Sequence, residues 1–243
     1  MSIEKFGEWI RESNNIVFFG GAGTSTESNI PDFRTQDTGL YNKNHKYPYP
    51  PEVMISHSFF IQHTRDFYDF YKTNMVYKDA KPNDAHKTLA KLEEEGKLKA
   101  VITQNIDGLH QKAGSKNVLE LHGSIYRNYC MECNKKYDLD YILNTDNVPK
   151  CKVCGGIVRP DVVLYQEGLD MEVLNKAIWY IKNADMLIVG GTSLVVYPAA
   201  GLVDYYNGNK LVLINRDETP YDNTADLIIH DSIGKVLKNA VER

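Results

Sequence analysis

Apolar and polar residues alternate along the chain with the two periods that mark helices and buried strands. Ile3, Phe6 and Ile10, with the neighbouring Trp9, have the spacing of a helix that packs one face on a core. The stretch from Asn15 to Phe19 predicts a short buried strand that a run of glycines ends. The later predicted elements are a helix from Pro82-Asn83 to Gly96, a strand in KAVIT, a helix over 172–183, a strand in DMLIVGG, a helix near 198–206, strands in KLVLINR and ADLIIH, and a helix from about Ile233. Strands that alternate with helices predict an α/β fold with a Rossmann-like parallel sheet covered on both faces.

The four cysteines of the chain form two closely spaced pairs. Cys130 and Cys133 make one Cys-x-x-Cys, Cys151 and Cys154 make the other, and 17 residues separate the two pairs. This spacing favours one tetrahedral Zn²⁺ bound by four thiolates. Unrelated reduced cysteines or a redox Cys-x-x-Cys are the alternatives. A site filled by four sulfur ligands has no open position, so a structural role is expected.

Two segments interrupt the alternation of strands and helices. Residues 37–80 are rich in Tyr, Pro and His and include a helical stretch from about Phe59 to Tyr71, and residues 126–159 contain the cysteines. We therefore predict a discontinuous Rossmann-like domain with two insertions. The domain comprises residues 1–36, 81–125 and 160–243, the helical module residues 37–80, and the zinc-ribbon module residues 126–159.

Composition and charge narrow the class of protein. The chain has 243 residues, 42% of them hydrophobic and 25% charged, which is ordinary for a globular protein. A net charge of −4 argues against a dedicated nucleic-acid binder. No apolar run approaches the roughly 18 residues of a membrane span, and the N-terminus lacks a signal-peptide core. Reduced cysteines without an export signal predict a cytoplasmic protein. Nothing in the sequence specifies an oligomeric state.

Four polar loops follow predicted strands, and parallel sheets bind ligands at the carboxyl ends of their strands. The loops are Gly20 to Arg34, Thr103 to His110, Gly190 to Ser193, and Asn215-Arg216. The first resembles a dinucleotide-binding G-x-G-x-x-G turn, but Thr26 stands at the third glycine and Pro31 ends the helix early. Such a turn either presents amides and hydroxyls to a phosphate or is only a turn. We expect the four loops to form one site.

Side chains in two motifs are candidates for chemistry. Gln104, Asn105 and Asp107 belong to TQNIDGLH, which is otherwise explained as a solvated loop with Asx turns. His122 lies between apolar residues in LELHGSI. A histidine in that setting is either structural or a general base, for which imidazole is well suited near neutral pH.

Taken together, these motifs carry a resemblance to a known family. GAGTSTESNIPDFR, TQNIDGLH, LHG, the paired Cys-x-x-Cys, GTSLVVYPAA and NR occur in the order found in the sirtuins, which are NAD-dependent protein lysine deacylases. The resemblance extends from about residue 13 to 240. It implies an enzyme that consumes NAD, removes acetyl groups from lysine side chains of proteins or peptides, and releases nicotinamide and O-acetyl-ADP-ribose. Zinc is then structural, with one ion per chain.

The resemblance also implies roles for individual residues. His122 corresponds to the general base. The IPDFR segment of the first loop corresponds to a mobile cofactor-binding loop in which Phe33 shields the reacting carbon and Arg34 contacts phosphate. The other implied NAD-binding residues are Ala22, Gly23 and Thr26 at the pyrophosphate and ribose, Gln104 at the ribose, Asn105 near an ordered water, Ile106 and Asp107 at the carboxamide, Gly191, Thr192 and Ser193 at phosphate or ribose, Asn215 at the adenosine ribose, and Asp231 at the adenine.

The sequence departs from the family pattern at several positions. Thr35 replaces a glycine, and Tyr165-Gln166 stand where Phe-Gly is common. Val162 and Val163 still predict a strand edge with which a peptide substrate could pair, with Val162 and Leu164 as candidate contacts.

Sirtuins that prefer acidic acyl groups have a Tyr-x-x-Arg pair. In this chain Asn74 stands three residues after Tyr71, in the place of that arginine. Without that arginine an acidic acyl group would be buried unpaired, so a neutral group such as acetyl is favoured.

Three other functions remain open from the sequence. Protein mono-ADP-ribosylation would use the same NAD site, although His122 favours deacylation. A zinc-ribbon nucleic-acid module with a nucleotide sensor is disfavoured by the acidic balance. A hydride-transferring dehydrogenase is disfavoured because IPDFR would obstruct an extended nicotinamide.

Overall fold

The structure is a computed structural model that describes residues 2–33, 39–40 and 47–242. Arg34 and Thr35, which the sequence singled out, lie outside the described residues. Within the described ranges, no helix has both the length and the apolar character needed to cross a bilayer.

A six-stranded parallel sheet forms the centre of the larger domain. Its strands are β1 (Ile16–Gly20), β2 (Leu98–Thr103), β3 (Val118–Glu120), β7 (Met186–Gly190), β8 (Leu211–Ile214) and β9 (Leu227–Ile229). The order across the sheet is β3-β2-β1-β7-β8-β9, and each adjacent pair is parallel. This order reverses between β1 and β7, as in dinucleotide-binding folds, and the reversal opens a crevice at the carboxyl ends of these strands. The predicted fold class is confirmed.

Helices cover both faces of this sheet, because successive strand residues point to opposite sides. Phe18 belongs to the hydrophobic cluster of one face, and Val17 and Phe19 belong to that of the other. The first face is covered by α1 (Ser2–Glu12), α5 (Asp84–Glu94) and α9 (Ile233–Val241), and the second by α8 (Met171–Lys182) and a 3₁₀ helix (Ala199–Tyr205). A short helix, α6 (Leu109–Ala113), follows β2. The helix predicted to begin at Pro82-Asn83 does so, and the Asn83 side chain caps it by accepting from the Ala85 amide at 2.9 Å.

The two inserted segments contribute to a second, smaller core. An antiparallel sheet of β4 (Gly123–Cys130), β5 (Lys136–Tyr137) and β6 (Val158–Val162) packs with α2 (Pro51–Met54), α3 (His57–Gln62), α4 (Thr64–Asn74) and α7 (Leu139–Leu143). One hydrophobic cluster joins these helices and strands, and it includes Phe60, Phe67, Ile125 and Val158. The inserted helices and the cysteine-bearing sheet therefore support each other.

The helical stretch expected from Phe59 to Tyr71 is two helices. α3 ends at Gln62, and His63 leaves the helical conformation with φ −130° and ψ 46° before α4 begins. The Thr64 hydroxyl donates to the Phe60 carbonyl oxygen at 2.8 Å and so takes the acceptor that an uninterrupted helix would use for an amide. The aromatic pattern continues across this break, and for that reason the sequence does not reveal it.

Candidate active site

The polar loops meet around one cavity of about 370 Å³ at the carboxyl ends of β1, β2, β7 and β8. Most of the predicted cofactor and catalytic residues line it. These are Ala22, Gly23, Phe33, Gln104, Asn105, Ile106, Asp107, His122, Gly191, Thr192, Ser193 and Asn215. The convergence expected from four separate loops is therefore present in the fold.

Two of the predicted site residues do not line the cavity. The Thr26 hydroxyl donates to the Gly23 carbonyl oxygen at 3.0 Å and so stabilises its own turn. The Asp231 carboxylate accepts from Lys235 Nζ at 2.6 Å and from the Ser232 amide at 2.7 Å. Arg34 lies outside the described residues. The NAD-binding roles of these three residues, like those of the residues that line the cavity, remain predictions.

The two glycine turns pack against each other backbone to backbone. The Gly23 amide donates to the Gly191 carbonyl oxygen at 2.8 Å. Gly191 has φ +60°, and a Cβ there would lie 2.3 Å from the Thr24 nitrogen. A Cβ on Gly23 would lie 2.8 Å from Gly191 Cα. Both motifs therefore need glycine in order to bring the loops after β1 and β7 together at the cavity.

A 3₁₀ helix, Ala22–Ser28, follows β1 in place of the α-helix of a hydride-transferring enzyme. It ends at Asn29, which adopts the left-handed conformation with φ 61°. The early end predicted from Pro31 is present, although the break falls two residues before that proline. The chain then returns along the cavity through Ile30 to Phe33.

A hydrogen-bonded group of side chains lies between the loops after β1 and β2. Asp107 accepts from the Ser25 hydroxyl at 2.7 Å and from the Leu109 amide at 2.9 Å. Asn105 Nδ2 donates to Ser25 Oγ and to the Gly21 carbonyl oxygen, both at 3.1 Å. Burial raises the pKa of Asp107, and the hydrogen bonds it accepts oppose this rise. These contacts fix the Asp107 carboxyl group at the cavity wall.

His122 is held by Gln104, which directly follows β2. Its Nδ1 lies 3.0 Å from the carbonyl oxygen of Gln104. A carbonyl oxygen only accepts, so in the neutral ring Nδ1 carries the hydrogen and Nε2 keeps its lone pair. Burial lowers the pKa of His122 below its ordinary value, and the bond to Gln104 partly offsets this effect. The ring is therefore neutral at neutral pH and can accept a proton at Nε2.

Gln104 connects His122 to the second glycine turn. Its side-chain Nε2 donates to Thr192 Oγ1 at 3.1 Å, and its amide donates to the Gly20 carbonyl oxygen at 3.0 Å. The positions of the loops after β1, β2 and β7 are thus coupled through one residue.

His110, the histidine of the TQNIDGLH motif, does not line the cavity. It is buried on α6, with its ring centroid 4.7 Å from that of His86. Burial, with a smaller contribution from His86, lowers its pKa well below the ordinary value. His110 is therefore a neutral core residue.

The remaining cavity wall comes from the smaller core. Tyr71 and Asn74 of α4 line the cavity with Met75, which follows that helix. Val162 at the end of β6 and Leu164 just after it line the cavity as well. Val162 and Leu164, the candidate peptide contacts, are only 8% and 5% exposed. Asn74 Nδ2 donates to the Phe70 carbonyl oxygen of its own helix at 3.1 Å.

The four cysteine sulfurs are grouped as a metal site requires. All lie within 4.8 Å of one another, with Sγ–Sγ distances of 3.4 Å between Cys130 and Cys154 and 3.6 Å between Cys133 and Cys151. A tetrahedron with Zn–S bonds of about 2.3 Å has edges of about 3.8 Å. The cysteines form no disulfide. The donor set and its size therefore fit one Zn²⁺.

Comparison with known proteins decides the family. Residues 21–198 match the profile of the Sir2 family. The chain is 67% identical over 236 residues to a protein of Clostridium tetani named NAD-dependent protein deacetylase, covering 97% of this chain and 95% of the relative. The chain belongs to the Sir2 family. The predicted resemblance to sirtuins is confirmed.

Solved sirtuin structures share the whole fold. A Sir2 variant with deacetylated p53 peptide and 3′-O-acetyl ADP ribose aligns with a TM-score of 0.90 and 41% identity, covering 100% of this chain and 98% of that chain. A Sir2 structure with p53 peptide and NAD⁺ aligns with a TM-score of 0.86 and 43% identity at the same coverage.

Sequence reasoning missed several residues of this sirtuin site. Ser25 belongs to the first turn, whose hydroxyls were expected to face a phosphate, whereas its hydroxyl donates to Asp107. Asp217 lines the cavity beside Asn215. Glu167 lines it as well and forms an ion pair with Arg159. The position of Asp217 two residues after Asn215 could have suggested it, but no local pattern pairs residues 159 and 167.

Proposed function

We propose that this sirtuin removes acetyl groups from lysine side chains of proteins and consumes NAD in doing so. The observation that carries the proposal is the arrangement of His122 at the wall of the cavity, with Nδ1 committed to the Gln104 carbonyl oxygen and Nε2 available as a base. The name of the C. tetani relative agrees with this function. The cytoplasmic location expected from the sequence stays a prediction.

The cavity residues suit NAD as a co-substrate. The close approach of the two glycine turns brings Ala22, Thr192 and Ser193 to one wall of the cavity, where they are assigned to the phosphates and ribose. Asn215 and Asp217, which follow β8 and line the cavity, are assigned to the adenosine ribose. Asp107 and Ile106 are assigned to the carboxamide. When bound, NAD supplies the ribose carbon that loses nicotinamide and the ribose hydroxyl oxygen that receives the acetyl group.

His122 is assigned the role of general base. A neutral imidazole accepts a proton from a hydroxyl group efficiently when its own pKa lies near the working pH. The Gln104 carbonyl oxygen orients the ring and stabilises the protonated form, because Nδ1 continues to donate to it after Nε2 is protonated. Phe33 at the cavity wall would shield the reacting centre from water.

The direct test is to incubate the protein with an acetyl-lysine peptide, with and without NAD, and to follow the peptide by mass spectrometry. We expect loss of one acetyl group only with NAD, together with release of nicotinamide. Deacetylation that proceeds equally without NAD would rule out the proposal. Transfer of label from adenine-labelled NAD to protein, without deacetylation, would identify a mono-ADP-ribosyltransferase instead.

We expect a strong preference for neutral acyl groups. Among the described residues that line the cavity there is no Lys or Arg, whereas Asp32, Asp107, Glu167 and Asp217 are acidic. Burial of an unpaired carboxylate costs several kcal/mol. The kcat/KM for an acetyl-lysine peptide should therefore exceed that for the succinyl-lysine peptide by about 100-fold or more, which corresponds to about 2.7 kcal/mol.

The Asn74→Arg variant provides the matched comparison for acyl choice. Among the described residues, Asn74 Nδ2 donates only to its own helix, so the change removes no hydrogen bond between elements there. A guanidinium at the cavity wall should raise desuccinylation relative to deacetylation. Equal rates on both peptides in the unchanged protein would contradict the argument from charge.

A further inference from the structure

The segment that follows β6 connects the two cores beside the cavity. Val163 donates its amide to the His122 carbonyl oxygen at 3.0 Å. Tyr165 donates to the Ile55 carbonyl oxygen at 3.1 Å and accepts from the His57 amide at 2.9 Å. The chain then turns back, since the Glu167 amide donates to the Leu164 carbonyl oxygen at 3.0 Å. The segment is thus fixed at the catalytic histidine on one side and at the start of α3 on the other.

The Glu167 carboxylate closes this turn with four hydrogen bonds. Oε1 accepts from Arg159 NH1 and from His57 Nδ1, each at 2.8 Å, and Oε2 accepts from Arg159 NH2 and from the Leu164 amide, each at 2.9 Å. Burial alone would raise the pKa of Glu167, but the bonds from Arg159, Leu164 and His57 lower it to about 2. The carboxylate is therefore ionised throughout the neutral range.

Arg159 is equally constrained. It is 9% exposed, its guanidinium lies 5.4 Å from the centroid of the Phe60 ring and 5.9 Å from that of Tyr129, and NH2 also donates to the Val162 carbonyl oxygen at 3.0 Å. The planar group thus joins both ends of the segment, residue 162 through its carbonyl and residue 167 through its carboxylate. A buried ion pair is costly unless its polar atoms are satisfied, as they are here.

Two backbone groups on this segment have no partner within the described part of the chain. The Val163 carbonyl oxygen accepts no hydrogen bond, and the Gln166 amide donates none, whereas the groups between them are paired. An extended peptide that adds to this edge would find these groups unpaired. The Val163 amide donates to the His122 carbonyl oxygen, so Val163 lies next to His122. A peptide that pairs with this segment would therefore be held at a defined position relative to the base.

We propose that Arg159 and Glu167 are positioning residues that hold segment 163–166 in the shape that binds the acetyl-lysine peptide. This inference rests on the proposed deacetylase function. Both carboxylate oxygens of Glu167 bind protein donors, so the ion pair is assigned no contact with NAD or the reacting atoms. Its loss affects recognition of the peptide and leaves the NAD-binding turns on β1 and β7 in place.

The test is the Glu167→Gln variant, assayed with an acetyl-lysine peptide at saturating NAD. Gln keeps the size of the side chain but removes its negative charge. Its NH₂ group cannot accept the hydrogen bonds that one carboxylate oxygen accepts in the unchanged protein. We expect the peptide KM to rise about 10-fold or more, with kcat within about threefold of the unchanged protein and an unchanged KM for NAD. Arg159→Lys should also raise the peptide KM, because an ammonium cannot bind Glu167 and the Val162 carbonyl oxygen in the same fork geometry.

Asp161→Asn is the matched control. Asp161 lies on the same strand and pairs with Arg127 at 2.8 Å, but on an exposed face. Its peptide KM should not change, since exposed pairs contribute little. A Glu167→Gln protein with a lowered melting temperature and an unchanged peptide KM would overturn the inference and leave a purely structural ion pair. If Glu167→Gln does not fold, an unchanged peptide KM in Arg159→Lys would overturn it equally. An unchanged protein without NAD-dependent deacetylation would refute the proposed function itself.

Discussion

Replacement of His122 by Ala is expected to lower the deacetylation rate by about 10²- to 10⁴-fold or more, the usual contribution of a general base. The melting temperature of the protein should stay close to that of the unchanged protein. His122 makes one side-chain hydrogen bond, to the Gln104 carbonyl oxygen, and it lines a cavity, so its removal leaves no large void in a core. Turnover and melting temperature should be measured on the same preparation.

His110→Ala is the matched control for this experiment. His110 is a buried histidine with a lowered pKa, but it does not line the cavity. Truncation of its ring leaves a void among Phe18, His86 and the start of α6, so stability should fall by a few kcal/mol. Activity per folded molecule should remain near normal.

The two variants therefore separate a catalytic from a structural imidazole. A His122→Ala protein that is destabilised but nearly fully active would show that His122 is not the base. The base is expected to act after nicotinamide has left, so nicotinamide exchange into NAD should survive in His122→Ala better than deacetylation does. Equal loss of both reactions would place His122 in NAD binding instead.

Much of the fold was predictable because strands and glycine turns have short-range signals. The strand at Ile16–Gly20 and the helix capped by Asn83 follow from local patterns, and their positions agree with the structure. The break at His63 was not predictable, since the aromatic periodicity of α3 continues into α4. A single side-chain bond from Thr64, rather than the pattern of burial, accompanies that break.

The sequence predicted which residues line the candidate site better than it predicted which of them contact each other. The sequence places Gly23 and Gly191 at strand ends, but only the fold brings their backbones into contact. It indicates Asn105 and Asp107 as polar loop residues, but their shared partner Ser25 comes from another strand end. Pairs such as Arg159 and Glu167 depend on a turn at Leu164, which has no distinctive composition. Contacts between residues far apart in sequence are the part that local patterns leave undetermined.

Loss of a zinc ligand is expected to lower the stability of the folded protein strongly, and to do so before it alters the catalysed reaction. Cys151→Ala leaves three sulfurs around the ion, and metal binding of this kind is coupled to folding. Cys130 and Cys151 are buried in the hydrophobic cluster that also holds Phe60 and Phe67 of the inserted helices. Loosening of the cysteine turns should therefore reach the helices that line the cavity. We expect destabilisation of about 4 kcal/mol or more, with aggregation, and loss of bound zinc.

Metal content and melting temperature of Cys151→Ala should be compared with those of Tyr137→Phe. The Tyr137 hydroxyl donates to Cys151 Sγ at 3.1 Å without being a ligand, so its removal should keep the zinc and cost about 1 kcal/mol. Chelation of zinc from the unchanged protein should reproduce the Cys151→Ala result. The cluster lies apart from the cavity, since none of its four cysteines lines it. A Cys151→Ala protein that folds normally, binds no zinc and keeps full activity would show that the cysteine module is dispensable for both stability and catalysis.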